Sequence, residues 1–493
     1  MYICIEKFLK KTAMLKILEE KATQGSVAVV NTLKAVLEKS VPYKGKVYLG
    51  GETIIDMILG RPISTMKILV DVPKGGIGFT TWVAAMTGDL AFTASAITID
   101  AKTCSSTLRL RANPDHCGIT LNCRYTRKNC SADGSSIPVF MHGNINDEVK
   151  TCSCTATSLM YDITNDCMVD ITGKGMDDIR RGIIRSVGDA YKFIERDPER
   201  IFSILTLQSN TGWGVEKDTW LALIKNSHRI FHMSMGDIRL AFKNLIMSRN
   251  SGDAIIALMN IGVLKYICAS LNALNLHKQR NAPTSSTVLQ HTAKVMNNVR
   301  PVYELKLAAM LHDIGKINSY GGNYMFHATE GKKYATSILK SMGHDEDFIN
   351  RVVMIMSRHE DFAIYKSHES IPSDGHVRRF LKKCGNDLDV ANLALELIHA
   401  NNLAQDYGRN LTITTKVKAK IKKILENDNI TSASSMVPIT GDDIMKEFNL
   451  KSGRFIGEMI KKLRMTARKE NRTLSKEECF EMVKASIKEA AVE

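Results

Sequence analysis

Apolar positions fall into three textures along the 493-residue chain. Before about residue 40, Leu15, Ile17 and Leu18, then Val30, Leu33, Val36 and Leu37, recur at helical spacing and predict an opening helical arm. From Lys46 to Cys167 the apolar runs are short and β-rich: 47–49, 67–72, 96–99 and 119–123 read as strands separated by Gly, Pro, Asn and Ser, with a helix over 53–59. From Asp177 onward long amphipathic stretches dominate and proline is sparse, so the remainder reads as almost wholly helical. Softer joints stand at 279–286 and 428–438. The fold class is therefore α+β, a small mixed α/β head followed by a long, mostly helical neck, body and tail. The divisions are a helical arm (1–45), head (46–176), neck (177–280), body (281–430) and tail (431–493).

Composition narrows the class. Hydrophobic residues at 44% and charged residues at 24% exclude a wholly disordered, collagen-like or coiled-coil chain. Lys and Arg exceed Asp and Glu by 67 to 52, a net charge of +15 that favours a polyanionic partner such as nucleic acid; the bland alternative is an inert basic surface. The 11 cysteines are odd in number and form no regular framework, and the opening MYICIEKFLKK lacks a long apolar core, so a reducing, cytoplasmic protein is expected. Seven cysteines fall between Cys104 and Cys167, with spacings that repeat no zinc-finger pattern and suit ordinary small hydrophobes. The stretch 79–99 is the best membrane candidate, but Gly88 and Asp89 interrupt it and no transmembrane helix is expected.

Tyr48-Leu49-Gly50-Gly51 followed by Asp56 and Gly60-Arg61-Pro62 reads as strand, glycine turn, helix and second turn. Paired glycines after a strand let backbone amides approach a phosphate, although a tight turn alone explains them equally well. Further stretches follow in order: Leu159-Met160-Tyr161-Asp162, Asp178 to Asp189, Arg196-Asp197-Pro198-Glu199-Arg200, Pro438-Ile439-Thr440-Gly441 and Gly453-Arg454-Phe455-Ile456-Gly457. Together, from about residue 45 to the C-terminus, they resemble the tRNA nucleotidyltransferase and poly(A) polymerase family, the bacterial-type CCA-adding enzymes. The resemblance implies a nucleotide-binding set of Gly50, Gly51, Asp56, Arg61, Asp197 and Arg200. It assigns Asp197 and Arg200 to reading the base edge, against the alternative of a helix start with a surface ion pair.

Several positions depart from the family's pattern. Its magnesium-binding pair of aspartates falls on Thr65 and Lys67, and its third carboxylate falls near Ile119 or Thr120, where no acid stands. A lysine at a metal-ligand position repels the ion it should bind. The basic position of the glycine-turn motif is Ile55, the Arg-Arg-Asp block corresponds to Thr151-Cys152-Ser153, and two further arginines correspond to Ser203 and Thr206. No magnesium is expected in the head, and no nucleotide transfer. Substitution of the missing ligands by Glu52, Asp56 or Asp71 is the competing reading.

A second constellation begins at His291 and continues through Leu311-His312-Asp313-Ile314-Gly315-Lys316 to His327 and His359. An adjacent His-Asp at a helix end offers an imidazole and a carboxylate to one ion, with further histidines from neighbouring helices. It resembles an HD phosphohydrolase domain, which many bacterial members of the family carry. The resemblance implies metal ligands His291, His312, Asp313, His327, His359 and, in place of the usual aspartate, Asn401. It also implies catalytic roles for His312, Asp313 and Lys316, a transition metal (Ni, Mn, Co or Fe), and hydrolysis of 2′,3′-cyclic phosphates or phosphomonoesters of RNA ends or nucleotides. Asn401 supplies only a neutral oxygen, which weakens the set.

In the tail, Lys461, Lys462, Arg464 and Arg468 follow the apolar stripe Ile456, Met459, Ile460 and Leu463, and five lysines crowd 416–423. The stripe reads as core; the basic face is either solvated or in contact with RNA phosphates, and the family likeness favours RNA. The expected partner is tRNA or a tRNA-like RNA, with nucleotides as further ligands, no membrane, and a homo-oligomer left open. Three readings remain: an RNA binder with phosphohydrolase activity, a non-catalytic RNA-binding or assembly protein, and a working CCA-adding or poly(A) enzyme with atypical ligands.

Overall fold

A computed structural model describes residues 24–38, 42–86, 92–100, 105–112, 119–130, 140–279, 286–318, 327–405, 410–435, 437–450, 453–470 and 472–490. Most of the expected arm lies outside the described residues; its remainder is the helix Gln24–Glu38, with Val29, Val30, Leu33 and Leu37 buried. The chain divides into two compact units, Met1–Ser357 and Arg358–Glu493. That division falls inside the segment 281–430 rather than at either of the expected joints.

The first unit opens on a seven-stranded sheet of strand order β3-β4-β5-β2-β1-β8-β9. The strands are β1 (Val47–Gly50), β2 (Thr65–Val70), β3 (Phe92–Asp100), β4 (Ser105–Ala112), β5 (Ile119–Tyr125), β8 (Met160–Asp162) and β9 (Cys167–Val169). Four of them fall where the apolar runs predict. β4 was not expected; its Leu108 and Leu110 are buried, and its polar neighbours interrupt any continuous apolar run. The stretch weighed as a membrane candidate is a helix, Gly75–Met86, followed by β3, and no helix among the described residues is long and apolar enough to cross a membrane.

β2 and β5 are adjacent and parallel, with Thr65 opposite Thr120 and Lys67 opposite Asn122. This register sets side by side the positions at which the resemblance places acids. A small ribbon, β6 (Arg127–Asn129) with β7 (Phe140–His142), follows β5 and leads to the helix Ile145–Thr151. That helix is closed at its start by a capping box of Asn144 and Asp147.

Beyond residue 175 the first unit is helical apart from the two-residue pair β10 (Ile183–Ile184) and β11 (Gly214–Val215). Gly252 sets the contact between the helices Ser251–Asn260 and Val288–Asn297: a Cβ there would lie 1.9 Å from the Ala293 carbonyl oxygen. Beside it Lys306, almost wholly buried, donates to Ser251 Oγ (2.9 Å) and the Met296 carbonyl (2.7 Å). A buried ammonium is tolerated where such bonds replace water. The second unit is all-helical among its described residues, from Asp374–Lys383 to Lys476–Ala490. Its last three helices share a small core of Ile439, Ile444, Ile456, Leu463, Ala467, Cys479 and Val483.

Gly252→Ala is expected to destabilise the first unit by about 1–3 kcal/mol, because backbone rather than a movable side chain occupies the new atom's space. Urea unfolding of the variant beside the unchanged protein measures it.

Candidate functional site

In the head, the turn after β1 carries Gly51 at φ +66°, which leaves room for the Lys67 side chain. A Cβ on residue 51 would stand 2.9 Å from Lys67 Cδ and 3.3 Å from its Nζ. The ammonium of Lys67 therefore lies beneath the glycine turn, and its backbone N–H donates to Thr53 Oγ1 (2.9 Å). Thr65, Lys67, Thr120 and Asn122 lie at one end of the β2–β5 pairing, with no carboxylate among the four.

A buried acid that acts on Lys67 is Glu148, fully buried on the helix Ile145–Thr151 and already occupied. It accepts from Arg124 Nη1 (2.8 Å) and Nη2 and from the backbone N–H of Arg127 (2.8 Å). Burial would raise its pKa, but Arg124, Lys67 and Arg127 reverse this and hold it below the ordinary value. The same crowding acts oppositely on the cations. Burial and the neighbouring Arg124 bring Lys67 down to about 8, and burial and Arg124 bring Arg127 down to about 10.

Of the three acids weighed as substitutes, Glu52 lies within the influence of Lys67, with burial and Asp56 pushing its pKa up, and the other two have partners. Asp56 pairs with Arg61 (3.8 Å), and Asp71 accepts from Thr126 Oγ1 (2.9 Å) and faces His142 (3.6 Å). Asp197 and Arg200 do come together, at 3.1 Å, but Asp197 precedes the helix Arg200–Thr211 instead of sharing it. Arg200 is 6% exposed, donates to the Cys152 carbonyl (2.9 Å) and stacks on Phe193 (3.4 Å). The arginine thus ties the neck to the end of the 145–151 helix.

The second constellation is assembled in the first unit from three helices. His291 comes from Val288–Asn297, which Thr287 and Gln290 close with a capping box; His312 and Asp313 follow Tyr303–Leu311; His327 opens His327–Ser341. Gly315 makes the approach possible, since a Cβ there would lie 2.0 Å from the His327 carbonyl oxygen. All four residues are buried. Asp313 Oδ2 lies 3.7 Å from His291 Nε2 and 3.3 Å from His312 Nε2, and Oδ1 lies 3.7 Å from His327 Nε2. One ligand atom each from His291, His312 and Asp313 falls within 4.8 Å of the others.

This donor set fits a transition-metal ion. His312 Nδ1 donates to the Ala309 carbonyl (2.7 Å), which leaves the Nε2 lone pair for a ligand in the neutral ring. Burial would raise Asp313, but Lys316 (2.6 Å), His312 and His291 keep it ionised, well below the usual carboxylate range. Lys316 also donates to Gln279 Oε1 (3.3 Å), a neighbour that sequence reasoning missed. In the second unit His359 and Asn401 are buried, and the Asn401 amide donates to the His359 carbonyl (3.5 Å).

The basic residues of the second unit behave differently from one another. Lys416 and Lys420 are spent within the unit, Lys416 on the His368 and Ser370 carbonyls and Lys420 on the Pro372 carbonyl (2.7 Å) and Asp374 (2.8 Å). Lys461 and Lys462 are exposed on Arg454–Glu470, with Lys462 also donating to Ser486 (3.0 Å). Arg464 and Arg468 are on this helix, with side chains outside the described residues. A cavity of about 980 Å³, lined by Thr155, Arg185, Ser186, Asp189, Tyr191 and Thr219 among others, lies at neither predicted site.

A mixed seven-stranded sheet with a glycine turn after β1, continued by a helical neck, defines the α+β architecture of the first unit. No family model matches the chain. Over 313 residues it is 21% identical to the CCA-adding enzyme of Staphylococcus haemolyticus, covering 63% of this chain and 66% of that protein. Over 93 residues it is 26% identical to the CCA-adding enzyme of Leuconostoc mesenteroides, covering 19% and 23%. The chain thus spans about a quarter to two thirds of the length of the curated relatives it matches. The fold is similar to the Bacillus stearothermophilus CCA-adding enzyme in complex with CTP, at TM-score 0.54 and 14% identity over 95% of this chain and 99% of that one. It is similar also to a CCA-adding enzyme in an apo form, at TM-score 0.52 and 15% identity over 96% and 98%. Remote sequence similarity and a shared fold thus both make CCA-adding enzymes the proteins this chain is similar to.

The depressed pKa of Lys67 has a consequence for stability. Below pH 8 the lysine is charged both folded and unfolded, and the folded state bears the cost. Between about 8 and the ordinary value of 10.5 the unfolded state binds more proton, so stability from this group rises with pH. Lys67→Met is expected to be more stable than the unchanged protein at pH 7, with the difference shrinking as pH passes from 8 to 10.5. Paired urea titrations across that range measure it.

Proposed function

We propose that this protein is a tRNA nucleotidyltransferase-like RNA-binding protein whose head does not add nucleotides, and whose histidine-aspartate cluster hydrolyses phosphate esters at RNA ends or in nucleotides. The observation that carries the first part is the β2–β5 register: the positions that should hold divalent cations are Thr65 and Lys67, beside Thr120 and Asn122. Two-metal chemistry needs hard anionic oxygens on both sides of the reacting phosphate. A hydroxyl and an ammonium supply neither the charge nor the ligands. The set does not fit magnesium.

The second part rests on the donor geometry at His291, His312, Asp313 and His327. A bound transition metal would supply a water of lowered pKa. The protein's own groups do the rest: Asp313 remains anionic at the centre, the Ala309 carbonyl fixes the His312 ring, and Lys316 places a cation within reach of a phosphoryl oxygen. The resemblance gives nickel, manganese, cobalt or iron as the ion. RNA contact is assigned to Lys461, Lys462, Arg464 and Arg468, where basic residues repeat along one helix.

With labelled CTP or ATP, magnesium and tRNA lacking its 3′ end, the expected result is no incorporation; steady incorporation would restore the polymerase reading. For the cluster, His312→Ala and Asp313→Ala are each expected to remove both bound transition metal, measured by elemental analysis, and hydrolysis of 2′,3′-cyclic nucleotides. Hydrolysis that survives both substitutions places the catalyst elsewhere. Absence of metal and hydrolysis in the unchanged protein would leave the non-catalytic RNA-binding reading.

A further inference from the structure

We infer that Gln279 is a positioning residue of the histidine-aspartate cluster: its side-chain carbonyl holds the Lys316 ammonium to one side of Asp313 without neutralising it. The inference rests on the reading that this cluster takes a transition metal and hydrolyses phosphate esters, and adds to it a residue outside the histidine-aspartate set.

Lys316 Nζ donates to Asp313 Oδ2 at 2.6 Å and to Gln279 Oε1 at 3.3 Å. Oδ2 is also the carboxylate oxygen that lies 3.3 Å from His312 Nε2 and 3.7 Å from His291 Nε2. An ion set among those ligands and the Lys316 ammonium therefore compete for one oxygen. That oxygen has lone pairs for both only when the two cations approach it from different directions. Lys316 is buried, so water is a poor substitute for a second acceptor. Gln279 supplies that acceptor, and because it is an amide rather than a carboxylate the ammonium keeps its charge for a phosphoryl oxygen.

Backbone pairing alone puts Gln279 in this place. Residues 277–279 run antiparallel to 286–288: the Gln279 N–H donates to the Ser286 carbonyl (2.9 Å), the Val288 N–H donates to the His277 carbonyl (2.8 Å), and Lys278 and Thr287 form the bridge between them. Thr287, which caps the helix that carries His291, also donates through Oγ1 to Asn275 Oδ1 (3.2 Å). One short pairing thus sets both the start of the His291 helix and the amide that meets Lys316. None of these bonds uses the Gln279 side chain, so its replacement leaves the pairing intact.

The test is a cycle of Gln279→Met, Lys316→Met and the double variant in the full chain, stripped of metal by a chelator. Cobalt(II) affinity is read by calorimetry, and hydrolysis of 2′,3′-cyclic CMP is read with cobalt present. Gln279→Met is expected to weaken cobalt binding about threefold to tenfold and to lower kcat by a similar factor, the worth of one hydrogen bond, with its urea midpoint unchanged. Lys316→Met is expected to tighten cobalt binding, since a competing cation is gone, while still lowering kcat. The double variant is expected to match Lys316→Met in both values, because Gln279 acts only through the lysine. Gln279→Glu keeps an acceptor but neutralises the ammonium, and is expected to lower kcat without lowering the urea midpoint.

Unchanged cobalt affinity and kcat in Gln279→Met overturn the inference, as does an equal effect of Gln279→Met with and without Lys316. A lowered urea midpoint accompanying the losses marks a structural residue and overturns it too. Cobalt bound without hydrolysis in the unchanged protein defeats the hydrolytic reading alone, and the cycle in cobalt affinity still decides the role of Gln279. No cobalt bound in the unchanged protein defeats both.

Discussion

The head is organised around one buried carboxylate and the cations that surround it. Glu148 has no water to solvate it, and it is stable there only because Arg124 grips both oxygens and the Arg127 amide completes the shell. That set of bonds fastens β5 and the start of β6 to the 145–151 helix. Three cations, Arg124, Lys67 and Arg127, act on this one carboxylate and hold its pKa down. Removing Glu148 would leave three cations facing one another, a larger loss than removing any one of them.

The two lysines at the candidate sites act in contrary senses. Lys67 stands opposite Asn122 on the β2–β5 pair, and its nearest charged influence is shared with two arginines around Glu148. Lys316 accompanies an acid that is still present, and its ammonium, with two imidazoles, keeps Asp313 anionic despite complete burial. In the first locus Thr65, Lys67, Thr120 and Asn122 bring no carboxylate to the strand pair. In the second, a nitrogen-rich donor set around one carboxylate is retained, the kind that prefers transition metals to magnesium.

Much of this was legible along the chain. Strands over 47–49 and 119–123, the 53–59 helix and the helical remainder rest on local periodicity, and the parallel β2–β5 pairing simply brought the missing acids side by side. What sequence could not show was long-range pairing. Arg124 and Glu148 are 24 residues apart, Lys67 meets Gly51 through a turn, and Arg200 spends a guanidinium nitrogen on a carbonyl 48 residues earlier. Nor does a mid-helix Lys306 announce its burial, since its partners Ser251 and Met296 lie on two other helices. β4 escaped notice for a different reason: its alternation is carried by two leucines set among serine, threonine and arginine.

The central claim concerns where a divalent cation can sit. Crystals grown with manganese and CTP, and measured at an energy where manganese scatters anomalously, report this directly. The account predicts no anomalous peak beside residues 65 and 67; a manganese peak there, bridging the strands to an aligned triphosphate, would contradict it.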